Sequence, residues 1–161
     1  MCGTDVIFAL DKSSTAGPFF HSLKSFVSQL AAALDIDSGD TRLGLVVYDH
    51  QIGEHFDLNT HSSLASVQTA INSLGGDGVG ELLDLNTHAS LSLFLAAMES
   101  LGGGTRTDLA LKYVRESMLT PAAGDRPPVP NVVVLFTDGQ ADCKSTMSLI
   151  EVSSLHTCAI L

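Results

Sequence analysis

The chain has 161 residues, 45% of them hydrophobic and 6% aromatic with no Trp, and a formal net charge of −10 from 18 acids against 8 bases. That length suits one domain with a core of Leu, Val, Ala and Ile. The acidic balance and the lack of any Lys/Arg cluster make nucleic acid and anionic membrane surfaces poor partners, and no apolar run approaches the length of a membrane span.

In chain order, "TDVIFALD" is short, apolar, bounded by turn residues and reads as a buried strand. Gly17-Pro18 opens a helix, Pro being tolerated where a helical N–H has no partner anyway. Phe19, Phe20, Leu23, Phe26, Val27, Leu30 and Leu34 recur at helical spacing and predict one apolar face. "DIDSGDTR" is a turn; it lacks the downstream bidentate Glu of a calcium loop. "LGLVVYD" is a second buried strand, "IGEHFDL" a weaker third, and Ser62 to Leu74 a helix. "RTDLALKYVRESML" predicts another helix, with Leu109, Leu111 or Ala110, Val114 and Met118 on its faces. A Pro-rich loop leads to the buried strand "VVVLFTDG", then to a helix "STMSLIEVSSL" and a last strand in "HTCAIL". Strands alternating with helices imply an α/β, doubly wound, mainly parallel sheet covered on both faces.

Residues 54–76, "EHFDLNTHSSLASVQTAINSLGG", align with 81–103, "ELLDLNTHASLSLFLAAMESLGG", at a constant offset of 27, with 13 of 23 positions identical. Two copies are too few for a solenoid, so the repeat reads as a tandem duplication, 54–80 and 81–107, inside one domain. Three cysteines, Cys2, Cys143 and Cys158, match no zinc spacing. A Cys143–Cys158 bridge and three reduced thiols both remain open. The six histidines form no ligand pattern.

In open parallel sheets, ligands bind beyond the carboxyl ends of the strands. Asp11, Ser13 and Thr15 follow the first strand, Asp138 follows "VVVLF", and Thr105 and Thr107 sit in "GGGTRTD" at the start of a helix. These are hard oxygen donors with no thiol or imidazole among them, a set that suits Mg²⁺. Spacing by two along an extended loop aims residues 11, 13 and 15 the same way. Asp108 reads as a partner of the following helix N-terminus.

"DVIFALDKSST", "GGGTRTDLAL" and "VVVLFTDGQAD", in that order, resemble the three metal-site segments of a von Willebrand factor type A domain. "FHSLKSFVSQLAAALDI" and "TRLGLVVYD" resemble that family's first helix and second strand. The resemblance covers nearly the whole chain and implies a Rossmann-like fold with a metal-ion-dependent adhesion site. By position, Asp11, Ser13 and Thr15 form the D-x-S-x-S loop, Thr105 is the distal hydroxyl ligand and Asp138 the acid of "TDG". Family hydroxyls bind the metal directly, the acids largely through water, and one position is left for a carboxylate of the protein ligand. Mg²⁺ is the implied cofactor, with Mn²⁺ or Ca²⁺ as substitutes. Thr15 stands where Ser is usual, and Lys12 and Thr107 flank the site as a ligand-binding rim. Only the second repeat copy runs into Thr105; its counterpart in the first, "GGDGVG", offers no hydroxyl and is expected to bulge as an insert. The chain stops where the family continues with a helix, a strand and a final helix, so that segment is expected to be missing.

The resemblance implies a secreted, extracellular binding module whose partner is a matrix protein, such as collagen, that offers an acidic residue. The alternative is a structural matrix or assembly domain whose metal serves stability only. A phosphotransferase with Asp11 as nucleophile is disfavoured, because Ser13 stands where a second acid is needed and no phosphate-cradling loop is present. No enzyme activity is expected.

Overall fold

The computed structural model describes residues 3–13, 20–75 and 105–137, together with the backbone of 158–160. They form a sheet in the order β3-β2-β1-β4-β5. Its strands are β1 (Thr4–Asp11), β2 (Thr41–Tyr48), β3 (Ile52–Phe56), β4 (Asn131–Phe136) and β5 (Cys158–Ile160). β1 pairs in parallel with β2 and β4, β4 pairs in parallel with β5, and only β3 runs antiparallel, on the edge beside β2. This is the doubly wound, mainly parallel arrangement that the alternation of strands and helices predicts.

Strand alternation divides the core into two layers. Val6, Phe8 and Leu10 face one side of the sheet with Leu43, Leu45 and Val47, and they meet Val27 and Ala31 of α1 (Phe20–Ala32) and Val67 and Ile71 of α2 (Leu64–Ser73). Ile7 and Ala9 face the other side with Val46, Tyr48 and Val133. They pack on Ala110 and Leu111 of α3 (Thr107–Tyr113) and on Val114 and Met118 of the π-helical turn that continues it. Each fully buried large apolar side chain contributes roughly 1.5–3 kcal/mol by leaving water.

Local differences from the sequence expectation have identifiable causes. The predicted apolar face of α1 includes Phe26, which is 50% exposed; its ring reaches only the edge of Phe136, at 6.2 Å between centroids. Leu109 is only partly buried, whereas Ala110 and Leu111, between which the periodicity did not choose, both face the sheet. The long helix expected from Arg106 to Leu119 loses regular α geometry at Val114, where Leu119 N–H bonds the Val114 carbonyl at 2.9 Å. "DIDSGD" is a turn, as expected, with Gly39 at φ +80°. Asp37 in that turn also accepts the Leu64 N–H at 2.8 Å, supplying an acceptor to the first turn of α2 beside the N-cap Ser63.

The repeat's first copy, through Gly75, supplies part of β3, the following turn and all of α2, with Phe56, Leu58, Val67, Ile71 and Leu74 buried. The bulge expected in "GGDGVG" lies outside the described residues from Gly76 onward, as do the second copy up to Gly104, the helix "STMSLIEVSSL", Gly17 and Pro18.

The amino end of the sheet is fastened by a buried ion pair. Asp5 is fully buried, and its Oδ1 accepts from Nε and Nη2 of Arg126 at 2.8 and 2.6 Å. Its Oδ2 accepts the Arg126 backbone N–H at 2.9 Å. The guanidinium also donates to the Gly39 and Asp40 carbonyls at 3.0 and 2.9 Å, so one side chain ties β1, the turn before β2 and the loop before β4. With that end closed, the loops at the opposite, carboxyl end are left to build a site.

Candidate metal centre

β1 ends in Asp11, whose side chain is fully buried. One residue further, the Lys12 N–H bonds the Tyr48 carbonyl at 2.7 Å and extends the β1–β2 ladder past the strand. The chain then turns. Asp11 Oδ1 accepts the Ser13 N–H at 2.8 Å, the side-chain-to-backbone closure that Asp favours in turns, and Ser13 is left 1% exposed. Residues 11 and 13 thus share a site through a turn bond rather than through the strand-like alternation that their spacing suggests.

The second Asp11 oxygen is held from another strand. Thr137, the first residue after β4, donates its hydroxyl to Asp11 Oδ2 at 2.9 Å. The parallel register, with Leu10 opposite Phe136, makes this contact possible. Sequence reasoning singled out Asp138 in "TDG" and passed over Thr137; the available signal was a hydroxyl at the strand end, one step past the register partner of Leu10.

The third segment reaches the same rim from α3. The Arg106 N–H bonds the Asp49 carbonyl just beyond β2, at 2.8 Å, and Thr105 immediately before it is 4% exposed. Thr107 Oγ1 lies 3.4 Å from the hydroxyl of Tyr48, the register partner of Asp11. Arg106 makes two 2.7 Å bonds to the Asp108 carboxylate. That pairing, more than the helix start itself, holds the Asp108 carboxyl below its ordinary range against the opposing cost of burial.

Beside the rim, a cleft of about 360 Å³ is lined by Lys12, Tyr48, Asp49, Gly53, Glu54 and Gly75 among others. The Lys12 ammonium sits 5.4 Å from the centre of the Phe20 ring, over which Lys24 also lies at 5.9 Å. Both Glu54 carboxylate oxygens accept the Gly75 N–H, at 2.9 and 3.1 Å, which fastens the end of α2 to β3.

The structure therefore brings Asp11 and Ser13, and Thr105 beside Asp49, to the carboxyl rim of β1 and β2, with Lys12 and Thr107 next to them. Thr15, Asp138 and Cys143 lie outside the described residues, and of Cys158 only the backbone, in β5, is described. Among the described residues no three His, Cys, Asp or Glu side chains gather. A cation at this rim would draw on hydroxyl oxygens beside Asp11, and buried Ser13 and Thr105 carry the hard donors that such an ion takes.

A family model for the von Willebrand factor type A domain matches the chain twice, over residues 5–83 and 76–157. Matrilin-1 of Bos taurus is 30% identical over 141 residues, 85% of this chain and 22% of the relative. Von Willebrand factor A domain-containing protein 1 of Bos taurus is 32% identical over 136 residues, 84% of this chain and 27% of the relative. The chain thus spans about a quarter of the length of these relatives. Among solved structures, proximal thread matrix protein 1 from the mussel byssus shares the fold, with a TM-score of 0.72 at 21% identity over 99% of this chain and 37% of that one. A second structure of that protein, described as having a zinc-occupied MIDAS motif, has a TM-score of 0.71 at 20% identity over the same shares. The two family matches, which change over inside the repeat, together span residues 5–157: the chain belongs to the von Willebrand factor type A domain family.

Proposed function

We propose that the chain is a non-catalytic, divalent-cation-dependent binding module of the extracellular matrix, which captures an acidic residue of a protein partner such as collagen. The observation that carries this reading is the buried Asp11 carboxylate, oriented from β1 by the Ser13 N–H and from β4 by the Thr137 hydroxyl, at a rim that also holds buried Ser13 and Thr105. Support comes from the mussel byssus matrix protein, whose MIDAS motif holds zinc in one structure, and from similarity to matrilins.

In this reading Asp11, Ser13, Thr15, Thr105 and Asp138 hold the ion, Mg²⁺ by the hardness of the donors, with Mn²⁺ or Ca²⁺ able to replace it. When bound, the ion supplies an incompletely neutralised positive charge that attracts one more anionic oxygen. The protein's part is to hold its donors in place: Asp11 is fixed by one bond from the turn after β1 and one from the residue after β4, and Arg106 N–H anchors the Thr105 segment to Asp49. Lys12 and Thr107 border the incoming ligand.

The test is capture of immobilised collagen or other matrix proteins with Mg²⁺, with Mn²⁺ and with EDTA, repeated with Thr105→Ala and Asp138→Ala. Capture that needs the cation and disappears in both variants, while their circular dichroism spectra stay native, supports the proposal. Equal capture in EDTA rejects it. Metal-dependent stability without cation-dependent capture favours a structural domain instead.

A further inference from the structure

The sequence carries two copies of a segment, and among the described residues the edge position beside β2 is filled by the first copy. Most features that seat the first copy recur in the second at the offset of 27; the Gln68 bond to the Ser28 carbonyl and the His55 ring contact with Tyr113 do not, because Leu95 and Leu82 stand at those places. The buried side chains Phe56, Leu58, Val67, Ile71 and Leu74 correspond to Leu83, Leu85, Phe94, Met98 and Leu101, all apolar. The ring lost at Phe56→Leu83 is regained at Val67→Phe94, and Phe56 and Val67 belong to the same core layer, which limits the net change in packed volume.

Most of the polar fastenings recur as well. The turn in which Asp57 N–H bonds Thr60 Oγ1 at 3.0 Å has its counterparts in Asp84 and Thr87, and N-cap Ser63 in Ser90. Asn59, which donates to the Ala122 carbonyl at 3.0 Å, corresponds to Asn86. The Glu54–Gly75 clasp corresponds to Glu81 and Gly102. Similarity even extends upstream of the repeat, since Ile52-Gly53 matches Val79-Gly80. Gly53 is where this matters, because a β-carbon there would stand 3.2 Å from the Val47 carbonyl oxygen.

Topology permits exchange without threading. β3 is an edge strand, hydrogen-bonded only to β2. The chain enters the slot at Gly53 and leaves it at Gly75, and both line the same cleft at the carboxyl rim. Asp49, just before the slot, is bonded to Arg106, just after residues 79–102, so either segment can be bypassed from the same place.

We infer that the slot accepts either copy, giving the domain two folded forms of one topology: the described form, and one in which 79–102 occupies the position of 52–75. In the first form residues 76–104 separate the slot from Thr105; in the second only residues 103 and 104 do. The two segments offer matching apolar positions and most of the same polar fastenings, the condition under which two arrangements of one sequence differ by little free energy.

The test uses the full chain. Ile71→Asp puts a charge at a fully buried position of the first copy, which a single-slot fold does not survive. Exchange predicts that Ile71→Asp keeps a cooperative melt, that Met98→Asp does too, and that the double variant loses it. In a background with the three native cysteines changed to Ser, Ser28→Cys is combined with Gln68→Cys or Leu95→Cys, because the Gln68 side chain reaches the Ser28 carbonyl at 3.4 Å and Leu95 is its counterpart. A 28–95 cross-link within one chain, enriched when Ile71→Asp is added, supports the inference. Loss of folding in Ile71→Asp alone, or a 28–95 cross-link found only between chains, overturns it.

Discussion

Arg126→Met is the most decisive probe of what holds the sheet's amino end. The substitution keeps an unbranched apolar stem and removes the guanidinium. Asp5, fully buried, then loses both side-chain donors to Oδ1 and keeps only the Arg126 backbone N–H on Oδ2. The Gly39 and Asp40 carbonyls lose a donor each. Breaking a buried pair from one side costs about 3–5 kcal/mol, because the surviving charge stays out of water without compensation. That is a large share of the roughly 5–15 kcal/mol that separates a typical domain from its unfolded state. Urea unfolding followed by circular dichroism should show the midpoint falling steeply at an unchanged slope. The double variant Asp5→Leu with Arg126→Met, which leaves no buried charge, should recover much of the loss. A single-variant loss below about 1 kcal/mol, the range of exposed pairs, would refute the reasoning.

Thermal melts should rise with Mg²⁺ or Mn²⁺ over EDTA, by about 2.7 kcal/mol of added stability at a hundredfold excess over Kd, and Thr105→Ala should abolish the rise. Arg106 lowers the folded-state pKa of Asp108, so this pair adds stability above the unfolded carboxylate value and loses it as pH falls through the lower folded value. The stability gap between wild type and Asp108→Asn in urea titrations should therefore be widest near neutrality and shrink in acid. Gly124 has φ +94°, and a β-carbon there would stand 2.7 Å from Asn59 Cβ and N, so Gly124→Ala should cost at least about 1 kcal/mol in the same assay. Phe26→Ser should cost less than Val27→Ala despite removing the larger group, because Phe26 is 50% exposed and Val27 is fully buried.

β1, β2 and β4 were legible because each is a compact apolar run, and the parallel sheet followed from the alternation of strands with helices. Asp11, Ser13 and Thr105 could be read as neighbours because chain direction alone places them at the carboxyl rim. What stayed hidden depends on register or on distant pairing. Thr137 matters because β4 lies beside β1 with Leu10 opposite Phe136. The Asp5–Arg126 pair joins residues far apart in the chain, and neither sits in a recognisable pattern. Phe26 satisfies the helical period, yet periodicity cannot say how far a neighbouring layer extends over that face. Asp37 read as one acid of a turn; its bond to Leu64 N–H exists only once α2 starts against that turn.

The central position of β1 also bears on how the polypeptide is made. β1 needs β4 as a neighbour, and Phe136 leaves the ribosome long after Leu10, its register partner. Until then, this almost fully buried strand has one flank open to other chains, the exposure from which aggregation starts. The extra 27 residues of the tandem copy lie within that interval and, at about 5–20 residues per second, prolong it by roughly 1–5 s. Nascent molecules of this protein thus depend on shielding during synthesis for longer than a relative without the duplication.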